Sequence, residues 1–223
     1  MLKKFIEKAK EAYKKSLAGI EVDTEQFNDK IAQQVSWKPL VKGGANFRTY
    51  QLKQLNNKRI EVIPSIASQI FTHIFLVVGA GCIAVWLYSF YDKTLALDQG
   101  MYILPIVGGA FCVASILMAK NTTRTKYFDK SLGYFWIGKK GPREQFNLSE
   151  NPDFLLLNKI YAIQIIKEKV RNDKQNFISY ELNLVCKDLS RLNVMDHAII
   201  DQMRIEAKTL SEFLDVPLWD GSL

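Results

Sequence analysis

Two histidines, three cysteines and scattered carboxylates are all this chain offers for catalysis or metal binding. His73 lies inside a long apolar run and His197 lies near the C-terminal end, with no Cys or carboxylate at a metal-ligand spacing from either. An ionisable group inside an apolar segment keeps a proton relay open. The expectation for His73 is nonetheless an interfacial or interhelical hydrogen bond, and for His197 a place at the start of a helix. Cys82, Cys112 and Cys186 form no C-x-x-C pair. The first two read as small packing residues, and Cys186 as a core residue of a strand in a compartment where disulfides are not expected. "GGANFR" lacks the helix and Lys that a phosphate-binding loop requires, and "GAG" at 79–81 falls within an apolar helix. No catalytic, cofactor-binding or metal-binding residue is therefore expected, and an enzyme is the least favoured class.

The charge is equally uneven. The 223 residues carry 30 Lys and Arg against 23 Asp and Glu, a formal charge of +7. Between Glu61 and Asp92 there is no charged residue for 30 positions, and between Asp98 and Lys120 none for 21. A bilayer core of about 30 Å needs roughly 20 apolar residues of helix, so both stretches are long enough to span one. A chain of this size cannot surround two all-apolar helices with protein, which disfavours a buried core pair. A cleaved signal peptide is also not expected, because the first apolar segment follows more than 60 residues of polar chain.

Orientation follows from the cations. Thirteen Lys and Arg precede Glu61, one lies in the connector "DKTLALDQG", and 16 follow from Lys120 onward. Positive charge stays on the cytoplasmic side, so both termini are expected there and the connector outside. Lys58, Arg59, Lys120, Arg124 and Lys126 are read as topology determinants that meet anionic headgroups. Lys3, Lys4 and Lys8 surround an apolar stripe of Leu2, Phe5, Ile6, Ala9, Tyr13 and Leu17, the pattern of a basic amphipathic helix on a membrane surface. Docking of that helix on its own domain or on a partner is the alternative. Charges placed beside the spans argue for lipid and against nucleic acid.

Small residues recur at helix-packing spacing: Ala80 with Ala84 in the first span, Gly108 with Cys112 and Ala110 with Ala114 in the second. Packing of the two spans on each other accounts for them, and spare small faces leave room for a larger membrane partner.

The polar segments read as strands. "FRTYQLKQL" and "KRIEVIP" flank Asn56-Asn57, a two-residue connection suited to positive φ in a tight hairpin. "TRTKYFD" and "GYFWIG" flank "KSL" as a second hairpin. "LNKIYAIQIIKEKV" reads as a long strand. "FISYELNLVCK" alternates, with Ile178, Tyr180, Leu182, Leu184 and Cys186 on one face and Ser179, Glu181, Asn183 and Lys187 on the other, a half-buried strand. After the short "RLNV", Asp196 is a candidate N-cap for a helix with Ile200, Met203, Ala207, Leu210 and Leu214 on one stripe, ended by Pro217.

Two strands before the spans, five after them and a closing helix resemble the bacterial PH-like (pleckstrin-homology-like) membrane proteins. "KYFDKSLGYFWIG", "LNKIYAIQIIKE", "YELNLVCKDLSRLNV" and the helix through "FLDVPLWD" carry the resemblance, over about half of the chain. It implies an α+β membrane protein in which a two-helix transmembrane hairpin is inserted in a PH-like antiparallel β-barrel or sandwich of about seven strands with a C-terminal helix. It also implies a noncatalytic module that binds lipid, peptide or a partner protein.

The expected layout is a basic helix at 1–18, an extended linker at 19–46 with Trp37 as anchor and Gly43-Gly44 as a turn, and a first hairpin at 47–65. The spans follow at 66–91 and 101–119, joined by an external loop at 92–100. The rest of the PH-like domain occupies 123–216 with its helix at 196–214, and a tail 217–223 closes the chain. The first hairpin needs further strands to be stable. Its completion by strands beyond residue 123, with Ile63 near Thr125, stands beside pairing with another subunit. The expected function is an inner-membrane scaffold or regulatory protein without a cofactor, with lipid and a protein partner or second copy as its contacts. The alternative is an accessory subunit of a transport or secretion assembly.

Overall fold

The computed structural model describes residues 22–41, 43–91, 102–122, 124–145, 147–148, 150–172 and 175–223. The expected basic helix at 1–18, with Lys3, Lys4 and Lys8, and the connector at 92–100 lie outside the described residues. In chain order the elements are α1 (Lys30–Gln34), β1 (Tyr50–Asn56), β2 (Arg59–Pro64), α2 (Ile66–Tyr91), α3 (Ile103–Thr122), β3 (Lys126–Asp129) and β4 (Tyr134–Ile137). Then come β5 (Phe154–Leu156), β6 (Ile160–Asn172), β7 (Gln175–Cys186), β8 (Arg191–His197), α4 (Ile200–Leu214) and β9 (Leu218–Gly221).

The chain is α+β, with two apolar helices and two sheets that do not close into a barrel. One sheet is a five-stranded meander in chain order, β1-β2-β3-β4-β5, and the other has the order β8-β7-β6-β9. Every pairing is antiparallel except β6 with β9. Apolar residues facing inward from both sheets build one core: Ile60, Phe128 and Phe135 meet Ile163, Ile165, Leu182 and Leu184, and α4 contributes Met203, Ala207 and Leu210. Each of the larger of these side chains contributes about 1.5–3 kcal/mol by leaving water, which holds the two sheets and the helix together.

β2 and β3 are neighbours in the meander although α2 and α3 lie between them in sequence. Their register pairs Arg59 with Asp129 and Val62 with Lys126, and extending it one step beyond the strand would set Ile63 opposite Thr125. The first hairpin is thus completed within its own chain. Its turn differs from the expectation: Asn56 pairs with Arg59 across a bulge, and the Asn56 side chain accepts the Lys58 N–H at 2.8 Å. No positive φ is used there, because the bulge supplies the twist that a mirror-image turn would otherwise provide.

Three expectations need correction. The closing helix starts at Ile200, not Asp196, because β7 offers ladder partners to β8 as far as His197, which pairs with Tyr180. The tail at 217–223 contains β9, which lies parallel on β6 and buries Trp219 against Phe27 and Trp37. The linker holds α1, capped by the Asp29 carboxylate on the Ile31 N–H at 2.8 Å.

The linker also crosses the outer face of the four-stranded sheet. β7 is therefore buried on both faces rather than one: Ser179, Glu181 and Asn183 are all within 2 % of full burial. Ile178, expected inside, is 40 % exposed, since β8 reaches only as far as Tyr180. Two glycines enable the crossing. Gly43 and Gly44 both have positive φ, and a Cβ on Gly44 would lie 2.3 Å from Ser179 Cβ, so only glycine fits.

Candidate membrane-facing site

α2 and α3 are each long and apolar enough to cross a membrane, by length and composition. At 1.5 Å per residue, the 26 residues of α2 extend about 39 Å. The two helices pack where their small residues meet. A Cβ on Gly79 would sit 2.7 Å from Gly108 O and from Cys112 Sγ, and one on Gly108 would sit 2.7 Å from Gly79 O. The contact therefore runs through Gly79, Gly108 and Cys112, with Ser115 Oγ donating to Thr72 O at 3.0 Å on the same seam. Ser68, Thr72 and Gly79 recur at spacings of four and seven along it and are buried. Gly108 and Cys112 are expected packing residues found in this contact. Ala80, Ala84 and Ala110 are exposed on the far sides of the pair, and Ala114 is half-buried. Gly79 was missed because "GAG" offers three small residues in a row, and only the helix rotation selects one.

The start of α2 is fastened to the domain by hydroxyls. Ser65 N–H donates to Thr49 O at 2.9 Å, Ser65 Oγ donates to Arg48 O, and Ser65 Oγ accepts the Ser68 N–H at 3.1 Å. Ser65 thus caps the helix and binds the chain entering β1. Thr49 Oγ1 in turn donates to the Asp196 carbonyl on β8.

Beneath this root lies a buried cluster of charges. Lys126 is 8 % exposed, donates to Val194 O, and sits 4.6 Å from the Tyr50 ring centroid. Burial pushes its pKa down to about 8, with Asp196 opposing the shift. Burial pushes the Asp196 carboxyl up to about 6, against a hydrogen bond from Asn193. Across the core, Glu206 of α4 pairs with Arg48 and accepts the Leu52 N–H at 3.0 Å. Burial alone would raise the Glu206 carboxyl, but bonds from His197, Leu52 and Arg48 bring it below its ordinary value.

His197 is fully buried in β8, not at a helix start. Its Nδ1 accepts the Ile199 N–H at 3.3 Å, so Nε2 carries the proton and faces Glu206 Oε2 at 3.4 Å. This group locks α4 to β1 and β8. Glu206 was missed in the sequence; the signal that could have found it is an acid three residues after Met203, beside the apolar stripe.

The expected membrane contacts divide. Lys58 is exposed at the tip of the β1–β2 hairpin, a six-residue strand or about 20 Å from the start of α2. Arg59 lies over the rings of Tyr127 and Trp136 and pairs with Glu61 and Asp129. Lys126 is turned into the domain. Lys120 is exposed in the last turn of α3, and Arg124 follows it, bonded to Ile137 O at 3.1 Å and paired with Asp153. Within the first apolar helix, His73 Nδ1 bonds the Gln69 carbonyl at 2.6 Å, one turn back in the same helix rather than across to α3.

Among the described residues, no group of three or more His, Cys, Asp and Glu side chains is placed to hold a metal ion. Comparison of the chain with protein-family models, with curated proteins and with solved structures gives no match.

Proposed function

We propose that this protein is a noncatalytic scaffold or regulatory protein of a bacterial inner membrane, whose two-sheet domain faces the cytoplasm and binds a partner protein or lipid. The observation that carries this reading is the insertion of the helix pair between adjacent strands β2 and β3 of one sheet. An anchor built into a sheet at both of its ends fixes the orientation of the domain, whereas a single flexible tether would leave it free. A fixed orientation is useful to a module that presents one face to a membrane or a membrane-bound partner. A PH-like plan is supported by the two packed sheets and the C-terminal helix; the short β5 and the parallel β9 are additions to it.

The orientation is tested with single cysteines in a Cys-free background. A cysteine at Thr94 is expected to react with an impermeant thiol reagent from outside, and one at Lys140 is not. The opposite pattern would move the domain out of the cytoplasm and end the proposal. Native purification in mild detergent then separates the scaffold from an accessory subunit: a stoichiometric membrane-embedded partner would favour the latter.

A further inference from the structure

Where α3 meets the domain, two cavities share a wall. The first, about 640 Å³, is lined by Lys120, Arg124, Lys139 and Lys140 together with Asp153 and the Tyr127 ring. The second, about 580 Å³, lies along the helix pair and is lined by Leu76, Ile116, Pro64 and Ile63, with Thr72 and His73 among them. Ala119 and Thr125 line both, so the cationic cleft lies directly beside the apolar groove.

The charges in the cleft are unbalanced. Among the described residues that line it, four cations face one carboxylate, and that carboxylate, Asp153, is already paired with Arg124. Arg124 is held further by Ile137 O, and Gly138, with φ +98°, leaves room for its guanidinium: a Cβ there would lie 3.2 Å from Nη2. Lys120, Lys139 and Lys140 are exposed, and within the described residues no ion pair or hydrogen bond engages their ammonium groups. A cleft walled this way suits a phosphodiester. The groove extends the other way, along two helices apolar enough to lie in a bilayer. Leu76 is ten residues into α2, about 15 Å from its start, which is deep enough to lie beside an acyl chain.

We propose that this joined cleft and groove is a binding site for one anionic phospholipid, the headgroup phosphate among Lys120, Lys139 and Lys140 and an acyl chain along Leu76 and Ile116. The proposal rests on the membrane-anchored reading above and deepens it by naming the ligand class. It separates ligands by two features at once: the cleft selects charge, and the groove selects a lipid over a soluble anion.

The test uses the purified full chain in a neutral detergent, with bound lipid counted by native mass spectrometry. The probes are phosphatidylglycerol, phosphatidylcholine with the same acyl chains, and glycerol phosphate. Phosphatidylglycerol is expected to bind at least tenfold tighter than either other probe. A lysine near an anionic group is worth about fivefold in affinity, so Lys139→Gln with Lys140→Gln should weaken phosphatidylglycerol about 25-fold and phosphatidylcholine, whose choline cation already opposes the lysines, by much less. Ile116→Trp should weaken both lipids, and Lys53→Gln, on the exposed β1 edge, neither. Equal affinity for the two lipids, or an unaffected double variant, would overturn the site. Glycerol phosphate binding as tightly as phosphatidylglycerol would make it a soluble-anion site and equally overturn it. Extraction of the chain from membranes by alkaline carbonate would show that the anchored reading itself has failed. Retention there without lipid selectivity would remove this proposal alone.

Discussion

Replacing Glu181 by Gln should loosen the linker where it crosses the four-stranded sheet while leaving the sheet intact. The carboxylate accepts the Leu40 N–H at 2.9 Å to both oxygens, the Val41 N–H at 3.1 Å and Asn183 Nδ2 at 2.6 Å. An amide can accept at only one atom, so either the Val41 N–H or Asn183 Nδ2 faces a second donor and loses its partner. A hydrogen bond to a charged group contributes about 1.5–3 kcal/mol, and a stranded donor costs a similar amount. A local loss of about 2–3 kcal/mol corresponds to roughly 30- to 150-fold in the opening equilibrium. Hydrogen exchange of the full chain in detergent reads this directly: Leu40 and Val41 should exchange faster by that factor. Ala45, whose N–H is held by Ser179 Oγ at 2.9 Å, should change little, and so should the β6–β7 ladder. Exchange at Leu40 and Val41 within threefold of the unaltered protein would refute the reasoning. It would mean that the amide turns its oxygen to the linker and strands Asn183 Nδ2 instead, or that the remaining bonds, from Gln164 Nε2 to Ser36 O and from Arg191 to Lys38 O, hold the segment by themselves.

Asp196 provides a pH signature. Its folded pKa, raised by burial to about 6 from the ordinary 3.8, makes its ionised form a burden above pH 6 that is relieved as pH falls towards 4. The stability of Asp196→Asn minus that of the unaltered protein should therefore be larger at pH 7 than at pH 4; thermal unfolding showing a constant difference would contradict the shift. In the helix pair, Gly108→Leu forces a side chain into Gly79 O and should destabilise packing by about 1–3 kcal/mol. Ala110→Leu, on an exposed face, should be tolerated, and equal losses of thermal stability in detergent would show that the contact is misplaced.

The existence of the elements was legible in the residues because local patterns decide it. Two charge-free runs of 30 and 21 positions can only be apolar helices, and alternation in "FISYELNLVCK" can only be a strand. All seven strands expected from such patterns are present, as are the two apolar helices and the amphipathic helix. What the patterns could not decide is which surfaces those elements cover. Lys126 looks like any cation beside a membrane span, yet β3 pairs with β2 in a register that turns it inward towards Tyr50 and Val194. Glu181 looks like the solvent face of a strand, yet the linker returns from 140 residues away to bury it. Gly79 and Ala80 are equally small, and the rotation of one helix against the other selects between them. Trp219 lies in four residues too short to alternate, and becomes a strand only because β6 presents a free edge and Trp37 a face to pack on. Periodicity is a property of neighbours in sequence and survives in any context. Burial of a charge, choice of a packing face and recruitment of an edge strand depend on partners distant in sequence, so only the assembled sheets and helices determine them.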